Sequence, residues 1–240
     1  MKLIEATREE IRGKIGLMPI GSIEQHGPHL PLGTDGIIAE WIAQRVEEKF
    51  RDKVLLYPTL YYGCSKEHYG FPHLSIGYIN MFNFLMDIVT TSKNAGVSSL
   101  VIVNGHGGNE SVLDLVRRET NMNGDKCFKV HVFSMVGRDR ELFNVIDMHA
   151  GSAETSRIYA INKELVRKEN LESVDDYTVN EGVFKTIPIS EANKYGIINI
   201  GGKVEIDEDK GRKSLEKAVD ELSILVSKII EELKKCNNRA

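Results

Sequence analysis

The chain has little cysteine, a single tryptophan and no excess of positive charge. Its three cysteines, Cys64, Cys127 and Cys236, cannot all pair within one chain, and their spacing fits no zinc ribbon. A reduced, cytoplasmic compartment is therefore expected. Lys and Arg number 31 against 35 Asp and Glu, a net charge of −4, which leaves no basic footprint for nucleic acid. No apolar run approaches the roughly 20 residues that cross a bilayer, and Met1–Glu10 lacks the apolar core of a signal peptide. With 240 residues the chain can bury a sizeable core, and residues 1–240 are expected to form one α/β domain.

Against these absences stands Gly21-Ser-Ile-Glu-Gln-His-Gly-Pro-His-Leu-Pro-Leu-Gly-Thr-Asp35, directly after the apolar run Ile15–Ile20. In an extended segment, alternate residues point the same way, so Glu24 and His26 can reach one centre. The Gly, Pro and Thr residues that follow permit a turn that brings Asp35 back. Two carboxylates and an imidazole suit zinc, manganese or iron. Taken alone, a Glu-x-His pair carries little weight.

Two later segments add to it. Val101-Ile-Val-Asn-Gly-His-Gly-Gly-Asn109 puts His106 in a glycine-flanked loop after a short buried strand, where open α/β sheets bind ligands. Asn109 reads as a helix cap in the plain alternative. His149-Ala-Gly-Ser-Ala-Glu-Thr-Ser156 places His149 in a loop and Glu154 in the first turn of an apolar helix. Glu154 alone would equally complement that helix terminus, an effect of about 0.3–1 kcal/mol.

Together the three segments resemble the signatures of the creatininase family of metal-dependent amidohydrolases, and Tyr62-Gly-Cys-Ser-Lys-Glu-His-Tyr-Gly-Phe-Pro72 is similar to a fourth. The resemblance implies a creatininase-like fold and two divalent ions per subunit. Ferrous iron is favoured, with zinc or manganese also suitable. Glu24 and His106 would bind one ion, His26 the other, and Asp35 both. Creatininases proper place a glutamate where this chain has Gly108, so Glu154 is the substitute ligand expected here. By analogy His149 protonates the leaving nitrogen, near neutrality with an ordinary pKa of about 6.5. Two ions would polarise the amide carbonyl and acidify water between them. Ser65, Glu67, His68 and Asn109 are the substrate-binding candidates. Lys66 and the helix terminus after Gly151 are the candidate phosphate donors, and Ser22 and Asn104 could orient ligands. A homo-oligomer is also implied.

The short archaeal branch of the family, which this chain resembles in its Asn-Gly-His-Gly-Gly-Asn loop, implies a nucleotide substrate. It hydrolyses the formamide of a formylamino-pyrimidine ribonucleotide, releasing formate on the way to riboflavin and a deazaflavin cofactor. Creatinine hydrolysis, the peptidase chemistry of mycofactocin maturation, and a non-catalytic scaffold are the alternatives. Trp41, placed well upstream, weighs against creatinine.

Strands and helices alternate along the chain: strands over 14–20, 54–60, 99–103 and 128–134, helices over 36–50, 81–94, 109–122 and 213–235. This pattern predicts a three-layer α/β/α fold with a mostly parallel sheet. Residues 162–212 read as irregular, with a turn at Gly201-Gly202. Cys64 and His131 read as packed, structural residues.

Overall fold

The computed structural model describes residues 1–125 and 127–237. In chain order its main elements are β1 (Ile15–Ile20), β2 (Ile23–Glu24), α1 (Thr34–Lys49), β3 (Val54–Leu56), β4 (His73–Leu74), α2 (Tyr78–Asn94) and β5 (Ser99–Asn104). They continue with α3 (Glu110–Asn121), β6 (Val130–Ser134), α4 (Arg140–Phe143), β7 (Ile146–His149), α5 (Ser152–Ile161), α6 (Ile189–Ala192), β8 (Ile198–Ile200) and α7 (Glu208–Asn237).

The central sheet has the order β3-β1-β5-β6 and is parallel throughout, with Ile15 opposite Val54 and Ile20 opposite Asn104. β1 and β5 are buried at every position, which is why both read as unbroken apolar runs. Alternation along each strand sorts the core into two halves. Ile15, Leu17, Val101 and Val103 pack with α1, α5 and α7, while Met18, Ile20, Leu100 and Ile102 pack with α2 and α3. The expected three-layer α/β/α arrangement is what this two-sided burial produces. No helix among the described residues is long and apolar enough to cross a membrane.

Three differences from expectation have physical reasons. The strand beginning at Val54 ends at Leu56, because Pro58 has no N–H to donate, although Leu60 rejoins the edge by donating to Pro19 O. The stretch 162–212 contains β8, which pairs antiparallel with β7, and a three-residue strand is too short to show a period. Cys127 and Cys236 are joined by a disulfide with their Cα atoms 5.9 Å apart, where reduced thiols were expected. Cys64 is free and buried, and burial pushes its thiol up to about 11, so it packs rather than attacks.

The carboxyl ends of the strands gather the chemistry. β1 leads into residues 21–35, β5 into 105–109 and β6 into 135–140, all at one edge of the sheet. Gly105 permits this convergence, since a Cβ there would overlap the Asp35 carbonyl.

Candidate metal centre

Glu24, His26, Asp35, His106 and His149 are buried together at this edge, with Glu154 partly covered beside them. Glu24 comes from β2, Asp35 from the first turn of α1, His106 from the loop after β5, His149 from the end of β7 and Glu154 from α5. His26 Nε2 lies 3.1 Å from Asp35 Oδ1 and 3.8 Å from Glu154 Oε2. His106 Nδ1 lies 3.1 Å from both Glu24 Oε1 and Asp35 Oδ2. Three donor sets result: Glu24 with Asp35 and His106, His26 with His149 and Glu154, and Glu24 with His68 and His149; Asp35 touches the first two. The carboxylates and imidazoles expected from the sequence do converge, Glu154 included.

Hydrogen bonds on the far side of each ring decide what faces the centre. His26 Nδ1 is 3.0 Å from the Glu24 carbonyl oxygen, and His106 Nε2 is 2.9 Å from the Cys64 carbonyl oxygen and 3.2 Å from Glu67 Oε1. A carbonyl or carboxylate oxygen only accepts, so each outer nitrogen carries the proton and each inner nitrogen presents a lone pair to carboxylates. Lone pairs facing carboxylates repel unless a cation lies between them. Both oxygens of Glu24 and Oδ2 of Asp35 are also buried without a hydrogen-bond partner. Orphaned acceptors around oxygen and imidazole donors fit a divalent ion of the zinc, manganese or iron type.

Without such an ion, protons must do its work. Burial opposes charge on His26, yet Asp35, Glu154 and Glu24 together push it up to about 10. Burial likewise opposes charge on His106, and Glu24, Asp35 and Glu67 raise it well above the ordinary histidine range. Burial, aided by Asp147, pushes Glu154 up to about 8. Both raised histidines hold protons near neutrality in the metal-free protein, and an incoming ion must displace them. Metal uptake near pH 7 should therefore release protons, and apparent affinity should rise with pH up to about 10 for His26. Calorimetric titration in buffers of different ionisation enthalpy checks this; heats independent of buffer would contradict it.

Gly108 is not a simple vacancy. A Cβ there would overlap the Cys64 carbonyl oxygen and the Glu67 carboxylate, so the position is filled by neighbours rather than left for a ligand. Glu67 thus braces His106 from behind, and His68 lies 3.1 Å from Glu24 Oε1. Both also line the cavity.

Other expected site residues lie elsewhere. Asn109 is fully buried, accepting from Cys64 N and donating to Gly21 O and Asn104 Oδ1, so it ties three loops together and neither faces the cavity nor caps α3. Asn104 is likewise spent on the His106 backbone. Ser22 and Ser65 are fully buried with unpartnered hydroxyls and do not line the cavity, and exposed Lys66 does not line it either. The N-terminus of α5 is closed to phosphate, because the Asp147 carboxylate accepts from the N–H groups of Gly151, Ala153 and Glu154.

The centre floors a cavity of about 430 Å³, whose walls include Tyr78, Met135, Arg138, Arg140, Phe184 and Lys185. None of these six was read from the sequence. Arg140 and Lys185 are exposed and form no ion pair with any described residue, whereas Arg138 pairs with Glu221. Phe184 takes a positive φ of 64°, and it and Lys185 both line the cavity.

Comparison with known proteins agrees with this geometry. The family described as "Creatininase: Creatinine amidohydrolase" matches residues 2–226. The mycofactocin precursor peptide peptidase of Mycolicibacterium smegmatis is 38% identical over 165 residues, 65% of this chain and 61% of the peptidase. The match thus spans about three fifths of that peptidase's length. A deformylase of 2-amino-5-formylamino-6-ribosylaminopyrimidin-4(3H)-one 5'-monophosphate from Methanothermus fervidus is 27% identical over 216 residues, 85% of this chain and 73% of the deformylase. A crystal structure of creatinine amidohydrolase superposes with a TM-score of 0.79 and 25% identity, covering 95% of this chain and 96% of that one. The chain belongs to the creatininase family of metal-dependent amidohydrolases.

Proposed function

We propose that this chain hydrolyses the formamide of a phosphorylated, ribosylated formylaminopyrimidine, releasing formate. The observation that carries the reading is the cavity itself. Its floor is a nest of carboxylates and imidazoles, and its rim bears two cations, Arg140 and Lys185, without carboxylate partners among the described residues. A phosphate monoester is the anion that such a rim would hold, while Phe184 and Tyr78 offer faces for a flat heterocycle.

Glu24, Asp35 and His106 would hold one ion, and His26 and Glu154, with Asp35 shared, a second. Bound divalent metal supplies Lewis acidity and lowers the pKa of water. Zinc and manganese forms of creatininase are among the structural likenesses of this fold, and ferrous iron suits the same oxygen and nitrogen donors. The protein's own groups do the rest. Burial holds His149 well below the ordinary histidine range, so the ring is neutral, and its Nε2–H donates to the Gln25 carbonyl oxygen, which leaves Nδ1 as the accepting nitrogen. Phe184 stands 6.5 Å from its ring and limits water on that side.

Peptide cleavage is the second reading, favoured by the 38% identity to the mycobacterial peptidase. Creatinine is a poor third, because Trp41 packs on α1 beneath Arg45, outside the cavity walls. Formate release should be measured anaerobically from the formylaminopyrimidine ribonucleotide with added iron, manganese or zinc, with creatinine and a short peptide alongside. Formate from the nucleotide supports the reading. Turnover of the peptide instead would transfer the assignment to a peptidase.

Arg140→Ala and Lys185→Ala should each raise KM for the phosphorylated substrate and leave kcat nearly unchanged. A hydrogen bond to a charged group contributes about 1.5–3 kcal/mol, so the expected rise is roughly 10–100-fold. The dephosphorylated nucleoside should show no such dependence. An equal rise in KM for both would place the phosphate elsewhere.

A further inference from the structure

Gln25 stands between Glu24 and His26, yet its side chain joins none of the three donor sets. It is buried, and its amide is oriented by two backbone groups. Oε1 accepts from Gly27 N at 2.8 Å, and Nε2 donates to Gly196 O at 3.0 Å. Exchanging oxygen and nitrogen would set carbonyl against carbonyl and NH₂ against N–H. Gly196 encloses the amide closely: a Cβ there would overlap it.

With the amide fixed, its remaining hydrogen meets His68 Nδ1 at 3.3 Å. That nitrogen must accept, so the proton of His68 resides on Nε2, which lies 3.1 Å from Glu24 Oε1 without hydrogen-bond alignment. Toward His149 the backbone of Gln25 is the acceptor. Its carbonyl oxygen accepts from His149 Nε2 at 2.7 Å, leaving Nδ1 bare and 3.8 Å from Glu24 Oε1. The two rings sit 4.6 Å apart.

We propose that Gln25 is a positioning residue that fixes the Nε2–H tautomer in both histidines but turns opposite nitrogens to the centre, so that His149 enters the reaction as a proton acceptor through Nδ1 and His68 as a neutral N–H donor to substrate through Nε2. The catalytic part rests on the amide-hydrolysis reading; the tautomers do not. His149 Nδ1 takes a proton from water as the water oxygen bonds to the amide carbon. The same proton passes from Nδ1 to the amide nitrogen as the C–N bond breaks, leaving an amine, a carboxylic acid and a neutral ring. His68 keeps its proton throughout and donates a hydrogen bond to the substrate oxygen.

The test is long-range ¹H–¹⁵N correlation on zinc-loaded protein labelled at the histidine rings, with a His68→Asn spectrum to assign the signal among the seven histidines. The expected pattern for His68 is a protonated Nε2 and a bare Nδ1. Gln25→Glu turns the donor into an acceptor and should move that proton to Nδ1, lowering kcat about 10²-fold with KM little changed. Gln25→Met, close in shape but unable to donate, should give mixed tautomers and guards against a variant that fails to fold. A protonated Nδ1 in the unaltered protein, or a tautomer indifferent to both substitutions, would overturn the proposal. The expected tautomers in a protein that releases no formate would leave it standing and remove only the nucleotide substrate.

Discussion

Replacing Asp35 with alanine is expected to abolish turnover and strip metal from both positions at once. One of its oxygens lies 3.1 Å from His26 Nε2 and the other 3.1 Å from His106 Nδ1, so among the described residues it is the side chain that joins these two histidines through separate atoms. The loss should exceed the roughly 10–100-fold that follows removal of a residue merely bracing a ligand. Asp35 is buried, so circular dichroism of the variant must show the fold intact before the loss is read as catalytic. Metal analysis together with the rate of formate release decides the matter. Full activity, or one ion retained at its original affinity, would refute the bridging role.

His149→Asn should slow turnover about 10²–10⁴-fold while metal content stays unchanged. Its imidazole faces Glu24 from the end of β7, held there by the Gln25 carbonyl oxygen. Asparagine can still donate to that carbonyl but carries no lone pair basic enough to move a proton. Unchanged turnover would transfer the proton to another group. Slow turnover with metal lost as well would make His149 a ligand, since it also stands within reach of His26 and Glu154.

Much of this centre was legible before any coordinates. Glu24, His26, Asp35, His106 and Glu154 fall in three compact segments, and each segment follows a strand or opens a helix, so local chemistry and topology agreed. The sheet was legible for the same reason: strands buried on both faces read as plain apolar runs. What escaped depended on long-range pairing. Asp147 caps α5 only because β7 packs against β8, about fifty residues later in the chain, and nothing local announces so short a strand. Arg140 and Lys185 meet at the cavity rim from segments that share no motif. Asn109 was assigned to substrate because it adjoins His106, whereas its amide and carbonyl are consumed by backbone and neighbouring loops. Gln25 did leave a signal. In an extended Glu-x-His the middle side chain points away from the other two, which asks what it holds on its own side.

The disulfide between Cys127 and Cys236 sits at the opposite edge of the sheet from this chemistry, just before β6 begins and near the end of α7. It closes a loop of 109 residues, for which chain-entropy arguments give a stabilisation of about 4–5 kcal/mol. The molecule therefore keeps its endurance and its reactivity at separate poles. A reductant should lower the unfolding temperature in a calorimeter while initial rates at moderate temperature stay constant; a parallel loss of both would mean that strain at one pole reaches the other.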